Sequence, residues 1–233
     1  MRIATWNIRA GGGKRTARIA QVILEERPGI LVLTEFRPDP GRNLLELLQP
    51  LSYHVAAGVP TGAQNCVCVL SRLPIELVAI ELLPKSLHRW VSVIVPSLEL
   101  TILGVHVPNQ TEIWNKREFL DCLEAFATET GDKRSMIIGD LNTALDEDCE
   151  GEKIREAVCL KRLLAAGWVD AWRNCNPNAR EFTWYSHRHN GFRLDQCLVS
   201  PSLANWVTAS SLRHDVRIGR LSDHSMLLAE FSL

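Results

Sequence analysis

The chain has 233 residues, of which 46% are hydrophobic and 23% charged, with a net charge of −1. This composition excludes a disordered or fibrous protein, and near-neutrality argues against one that grips polyanions over its whole surface. No run approaches the roughly 20 apolar residues that span a bilayer. Met1-Arg2-Ile3-Ala4-Thr5-Trp6 enters a core-like strand with no apolar leader, so a cytoplasmic protein without membrane contact is expected.

The first apolar run, 2–8, predicts a strand. Gly11-Gly12-Gly13-Lys14 follows it and resembles a phosphate-binding loop. Ile8 stands where the first glycine of that motif is required and Arg15 where Ser or Thr must follow, so a turn near the site is expected instead. A helix over 16–26 carries Ile19, Val22 and Ile23 and stops before Pro28. Strand-like runs then occur at 30–34, 53–59, 66–71, 75–80, 90–95 and 100–107, with a helix-like window at 44–51. A helix at 114–128, a strand at 136–138 and a helix at 154–166, closed by Gly167, come next. Strands at 193–200, 207–212 and 225–231 complete the chain.

A βαβ-like start, a meander and a return to alternation predict two sheets packed face to face with helices outside. No linker or repeat divides the sequence, so one domain over 1–233 is expected. The seven cysteines (Cys66, Cys68, Cys122, Cys149, Cys159, Cys175, Cys197) form no CxxC pair and are expected to be free thiols. Trp6, Trp90 and Trp206 read as core residues.

Gly139-Asp140-Leu141-Asn142 follows the apolar run Met136-Ile137-Ile138, so a turn lifts a carboxylate and an amide out of a strand end. The same pattern recurs at Thr5-Trp6-Asn7, Leu33-Thr34-Glu35, Arg193-Leu194-Asp195 and Ser222-Asp223-His224. Singly, each has an ordinary explanation. Asn7 can cap a turn, Asp140 and Asn142 can form one, and His224 can be a packed polar residue. Asp195 lies among apolar residues and needs a partner. Together they suggest one metal-assisted hydrolysis site. Glu35 is a natural ligand for a hard cation, and Asp140 can orient or deprotonate a water. Asn142 can donate to a phosphate oxygen, and His224 can act as an imidazolium held by Asp195 or Asp223.

Two basic runs lead towards this site: Arg180, His187, Arg188, His189 and Arg193, then Arg213, His214, Arg217 and Arg220. They predict a phosphate-facing rim. Asp146, Glu147, Asp148, Glu150 and Glu152 read as a solvated loop.

Trp6-Asn7, Glu35, His106-Val107-Pro108-Asn109, Gly139-Asp140-Leu141-Asn142, Arg193-Leu194-Asp195 and Ser222-Asp223-His224 resemble the endonuclease/exonuclease/phosphatase superfamily, over residues 3 to 228. The resemblance implies an α/β fold of the DNase I type, a four-layer sandwich with its site at the open end of two mixed sheets. It implies dependence on Mg²⁺, with Mn²⁺ substituting. Asn7, Glu35 and Asp223 would belong to the metal site, with Asp140, Asn142, His224, Asp195 and His106 in the catalytic group. Asn109, Arg9, Trp184, Phe192 and Arg193 would contact substrate.

Phe182-Thr183-Trp184-Tyr185 and Gly191-Phe192-Arg193-Leu194-Asp195 are similar to the segment with which exonuclease III and abasic-site endonucleases build a pocket for a baseless sugar. Two positions depart from that branch. His106 replaces Tyr, as in the DNase I, sphingomyelinase and inositol-phosphatase branches. Arg9 replaces Asp and cannot ligate a metal. The expected activity is hydrolysis of nucleic-acid phosphodiesters, DNA ahead of RNA, by a monomer. The alternatives are hydrolysis of a small phosphoester and a catalytically silent binding module. Retention of Glu35, Asp140, Asp195 and His224 ranks the silent module last.

Overall fold

The computed structural model describes residues 1–60, 64–109, 111, 113–151 and 153–233. β1 (Arg2–Asn7), α1 (Thr16–Glu26), β2 (Ile30–Phe36) and α2 (Pro38–Leu47) open the chain. The strands β3 (His54–Ala57), β4 (Cys66–Ser71), β5 (Glu76–Leu77), β6 (Trp90–Val95) and β7 (Leu100–His106) follow. Next come α3 (Ile113–Thr130), β8 (Ser135–Asp140), α4 (Ala157–Ala165), β9 (Val169–Asp170) and α5 (Ala171–Cys175). The chain then forms β10 (Trp184–Tyr185), β11 (Gly191–Phe192), β12 (Asp195–Val199) and α6 (Pro201–Ala204). It finishes with β13 (Val207–Arg213), α7 (Asp215–Ile218) and β14 (Met226–Phe231).

Among the described residues the strands form two six-stranded sheets and one short hairpin, β10–β11. The first sheet has the order β13-β14-β1-β2-β4-β3 and the second β5-β6-β7-β8-β12-β9. Both are mixed: β1 and β2 pair in parallel across α1, and β7 and β8 in parallel across α3. The layering follows from strand alternation. In β2, Ile30 and Val32 join the core between the sheets, while Leu31 and Leu33 pack with Ile19 and Ile23 of α1 and Leu44 of α2. In β8, Met136 and Ile138 face the first sheet and Ile137 packs against Phe119 and Leu123 of α3 and Leu160 of α4. Burial on both faces explains why these strands are continuous apolar runs. The chain thus adopts the expected four-layer α/β sandwich.

The differences lie at the edges. The runs 53–59 and 75–80 contract to β3 and β5, which are edge strands. The helix expected at 44–51 begins earlier, with Pro38 fitting its first turn. The helix expected at 154–166 begins at Ala157, and Gly167 beyond its end adopts φ +92°. Arg27 leaves α1 in a left-handed conformation before Pro28. All seven cysteines are free. Trp206 is only partly buried, with the Arg134 guanidinium 4.7 Å from its ring centroid. Among the described residues no helix is long and apolar enough to cross a membrane.

The acidic stretch is not a solvated loop throughout. Asp148 is buried and forms ion pairs of 2.5 Å with Arg173 and Arg193. Glu152 lies outside the described residues.

Candidate active site

The strand ends singled out above meet at one edge of the sandwich. β7 and β8 both run towards it in parallel and end at His106 and Asp140, which are register partners. β12 is antiparallel to β8 and begins there, with Asp195 opposite Asp140. β1 ends at Asn7 in the facing sheet, and Asn7 bridges the gap: its Nδ2 donates to Asp140 Oδ2 at 3.0 Å and to Glu35 Oε1 at 3.2 Å.

Local backbone devices aim these groups. Gly139 has φ +148°, and a Cβ there would lie 2.0 Å from the Val105 carbonyl oxygen, so glycine is required where β8 meets β7. A register irregularity between Leu33 and Phe36 turns Glu35 out of β2 with φ +53°. Its Oε2 accepts from the Ala10 amide at 2.8 Å and from Asn65 Nδ2 at 3.0 Å. Asn142 has φ +45°; its amide N–H donates to Asp140 Oδ1 at 3.0 Å and its Nδ2 to the Val107 carbonyl at 2.8 Å. The second Nδ2 hydrogen is left to point at a ligand. Left-handed non-glycine residues cost energy and concentrate at functional sites.

Two imidazoles flank Asp140. His224 Nε2 lies 3.9 Å and His106 Nε2 3.8 Å from Asp140 Oδ2. Their charge states differ. Burial pushes His106 down to about 4, with Asp140 opposing too weakly. Burial also disfavours charge on His224, but Asp195 and Asp140 overcome it and raise its pKa to about 10. The deciding contact is His224 Nδ1 to Asp195 Oδ2 at 2.8 Å. Thr183 Oγ1 braces this pair, accepting the Leu194 and Asp195 amides at 3.0 and 3.2 Å. Burial raises the pKa of Asp140, and the His224 charge acts against that rise. The site therefore holds one cationic and one neutral imidazole around a carboxylate suited to accept a proton.

A cleft of about 720 Å³ opens over these groups. Its polar floor is Asn7, Glu35, Asp140, Asn142, Asp223 and His224, and Ile154, Trp184, Phe192 and Leu194 form an apolar wall. The Trp184 and Phe192 rings stand 5.9 Å apart. Asn109 lines the cleft, its Oδ1 accepting from the Thr111 amide at 3.0 Å. Arg9 does not line the cleft; 63% of its side chain is exposed, with Nε 3.9 Å from Asp223, which does.

Two donor sets could attract a divalent cation. Asp140, Asp195 and His224 offer ligand atoms within 4.8 Å of one another, but His224 and Asp195 already satisfy each other by a direct hydrogen bond. Glu35, Asn7 and Asp223 line the open cleft; Asn7 Oδ1 accepts from the Arg9 amide at 2.9 Å, and the Glu35 and Asp223 carboxylates suit a hard cation that keeps several waters. The residues present therefore fit such an ion.

Arg193 does not belong to the cleft. It is fully buried, its Nη2 2.5 Å from both Asp148 and Asp170, and these two carboxylates raise its pKa against the effect of burial. The expected basic rim is in part internally paired, while Arg180, Arg188, His189 and Arg220 are exposed and do not line the cleft. Arg213 pairs with Glu26 and Asp215, His214 with Glu181, and Arg217 packs over Tyr185 and donates to Ser225 Oγ. Only His187 of those runs lines the cleft. Sequence reasoning missed Asn65, which precedes β4 and carries the same polar-at-strand-end signal, and Arg89, Ile154 and Ser186, which carry none.

Residues 4–224 match the sequence profile of the Endonuclease/Exonuclease/phosphatase family. The chain belongs to this family. It is accordingly a phosphoester hydrolase with the DNase I-like sandwich. Similar solved structures include an AP endonuclease from Archaeoglobus fulgidus, at 23% identity and a TM-score of 0.85, with 100% of each chain covered. A 3′ phosphatase, NExo, from Neisseria bound to product DNA hairpin superposes with the same coverage at 23% identity and 0.85. The 3′-5′ exonuclease NExo from Neisseria meningitidis superposes at 25% identity and 0.84, again over 100% of both chains. No curated protein matches this family member at the sequence level.

Proposed function

We propose that this family member is a Mg²⁺-dependent phosphodiesterase acting on nucleic acid, DNA ahead of RNA, with Mn²⁺ able to substitute. The carrying observation is the Asp195–His224–Asp140 arrangement beside Glu35 and Asn7, in a cleft with an aromatic wall. DNA in the NExo complex and the AP endonuclease activity of another similar structure support that substrate class.

Glu35 and Asn7, with Asp223 beside them, would hold the cation, which when bound would supply charge neutralisation at the phosphoryl group. Asp140 takes a proton from the attacking water, its basicity increased by burial. His224 donates its Nε2–H to a phosphate oxygen as charge accumulates in the transition state, and Asp195 maintains that imidazolium. Asn142 donates its remaining side-chain hydrogen to a second oxygen. His106 stays neutral on the other side of Asp140. The water oxygen bonds to phosphorus, the ester P–O bond breaks, and the leaving oxygen departs in line. Trp184, Phe192 and Leu194 pack against the sugar, with Asn109 and Arg9 at the flanks. Residues 1–233 would act as a single domain, monomeric and cytoplasmic.

A second reading, hydrolysis of a small phosphoester, is favoured by the cleft lining, which includes only His187 of the two basic runs and so brings little of their charge to the site. Labelled abasic, nicked, single-stranded and RNA oligonucleotides, assayed beside small phosphoesters with and without Mg²⁺, test the proposal. Cleavage of oligonucleotides that weakens steeply with salt supports the nuclease. A flat salt response, or turnover confined to small phosphoesters, refutes it.

A further inference from the structure

Lys116 has no place in the chemistry above, yet it is fully buried in the first turn of α3. Both circumstances oppose a cation: desolvation penalises the ammonium, and a helix N-terminus carries partial positive charge. Burial lowers its pKa, with Glu156 and Asp140 opposing. Its Nζ donates to the Asn142 carbonyl at 2.7 Å, and its charge partner Glu156, at the start of α4, is 3.9 Å away.

Asn142 is the left-handed residue of the Gly139–Asn142 turn. That conformation points its carbonyl towards Lys116, its amide N–H at Asp140 and its side chain along the cleft. All three directions depend on a single φ/ψ setting, and the inward carbonyl is the one anchored by an ion. We propose that Lys116 is a positioning residue that locks Asn142 in this conformation, aligning its side-chain amide with the phosphate. The proposal rests on the role of Asn142 given above. A donor lost here lets the carbonyl rotate outwards, and displacements of about 1 Å at a reacting centre can cost on the order of 100-fold in rate.

The test is a double-mutant cycle on Lys116→Met and Asn142→Ala, read as kcat and KM separately, with thermal unfolding of each variant. K116M is expected to lower kcat roughly 30-fold or more with KM within about threefold. In the N142A background it should cost less than about threefold further, because the group it positions is gone. Lys116→Arg should recover most of kcat by restoring a charged donor. Full additivity, or K116M with wild-type kcat, overturns the proposal while leaving the catalytic reading intact. N142A with wild-type activity instead overturns the role of Asn142 and the positioning role with it. Should K116M fail to fold, Lys116→Leu, which also removes the donor, is carried through the same cycle and judged by the same outcomes.

Discussion

The charge on His224 depends most on Asp195, with Asp140 adding to it, and Asp195→Asn removes the larger contribution with little change in shape. His224 has a pKa of about 10 against an ordinary 6.5. That difference corresponds to roughly 5 kcal/mol favouring the imidazolium. His106 provides an internal control. It is equally buried and equally close to the same Asp140 oxygen, but its pKa falls to about 4. Asp195 is the main difference between the two rings, so D195N should move His224 towards the His106 value and leave it neutral at pH 7. Loss of a charged donor aimed at the transition state costs on the order of 100- to 1,000-fold in kcat. The assay is kcat against pH on an oligonucleotide substrate, paired with an NMR titration of the His224 ring protons. The wild-type rate should show no loss from His224 until pH nears 10, whereas the D195N rate should fall once pH exceeds a much lower value. A D195N enzyme within about tenfold of wild type at neutral pH, or a ring still titrating near 10, would refute the reasoning.

Arg193→Met should cost up to roughly 3–5 kcal/mol in denaturant unfolding, because Asp170 is left buried without its ion-pair partner and Asp148 keeps only Arg173. The folded fraction should keep its KM; a large rise in KM would return Arg193 to the substrate-binding group. His106 makes a stability contribution whose sign follows from its depressed pKa. Below 6.5 the unfolded chain binds a proton that the folded protein refuses until about 4, so stability falls as pH drops through that window. His106→Asn should remove up to about 3 kcal/mol of that pH dependence in urea titrations. An unchanged slope would show that His106 takes up its proton at the same pH folded as unfolded.

The site was legible where a polar side chain ends an apolar strand. Asn7, Glu35, Asp140 and Asp195 stand out because β1, β2, β8 and β12 are buried on both faces, so a polar residue at their ends breaks an apolar run and needs a partner. Charge was misread for the opposite reason. Arg193 and Asp148 are 45 positions apart, and only the fold brings them to 2.5 Å. From sequence alone Arg193 looked like part of a phosphate-facing rim and Asp148 like part of a solvated loop, since local windows cannot reveal a distant partner. Lys116 sits among Asn115, Arg117 and Glu118, which reads as an exposed helix face. Its burial is set by Asn142, 26 residues away.

The contrast between His106 and His224 could not be read locally either. Each follows or adjoins a strand end, and the two lie at nearly equal distances from Asp140. What separates them is the pairing of β8 with β12, which sets Asp195 opposite Asp140 and under one ring only. The sheet register therefore assigns the charge. Because Asn7 of the first sheet bonds to both Glu35 and Asp140, the same geometry also requires the two sheets to stay in contact at this edge. Loosening the inter-sheet core beneath it, at Val32 or Ile138 for example, should impair catalysis before it unfolds the protein, since the site spans the seam that this core closes.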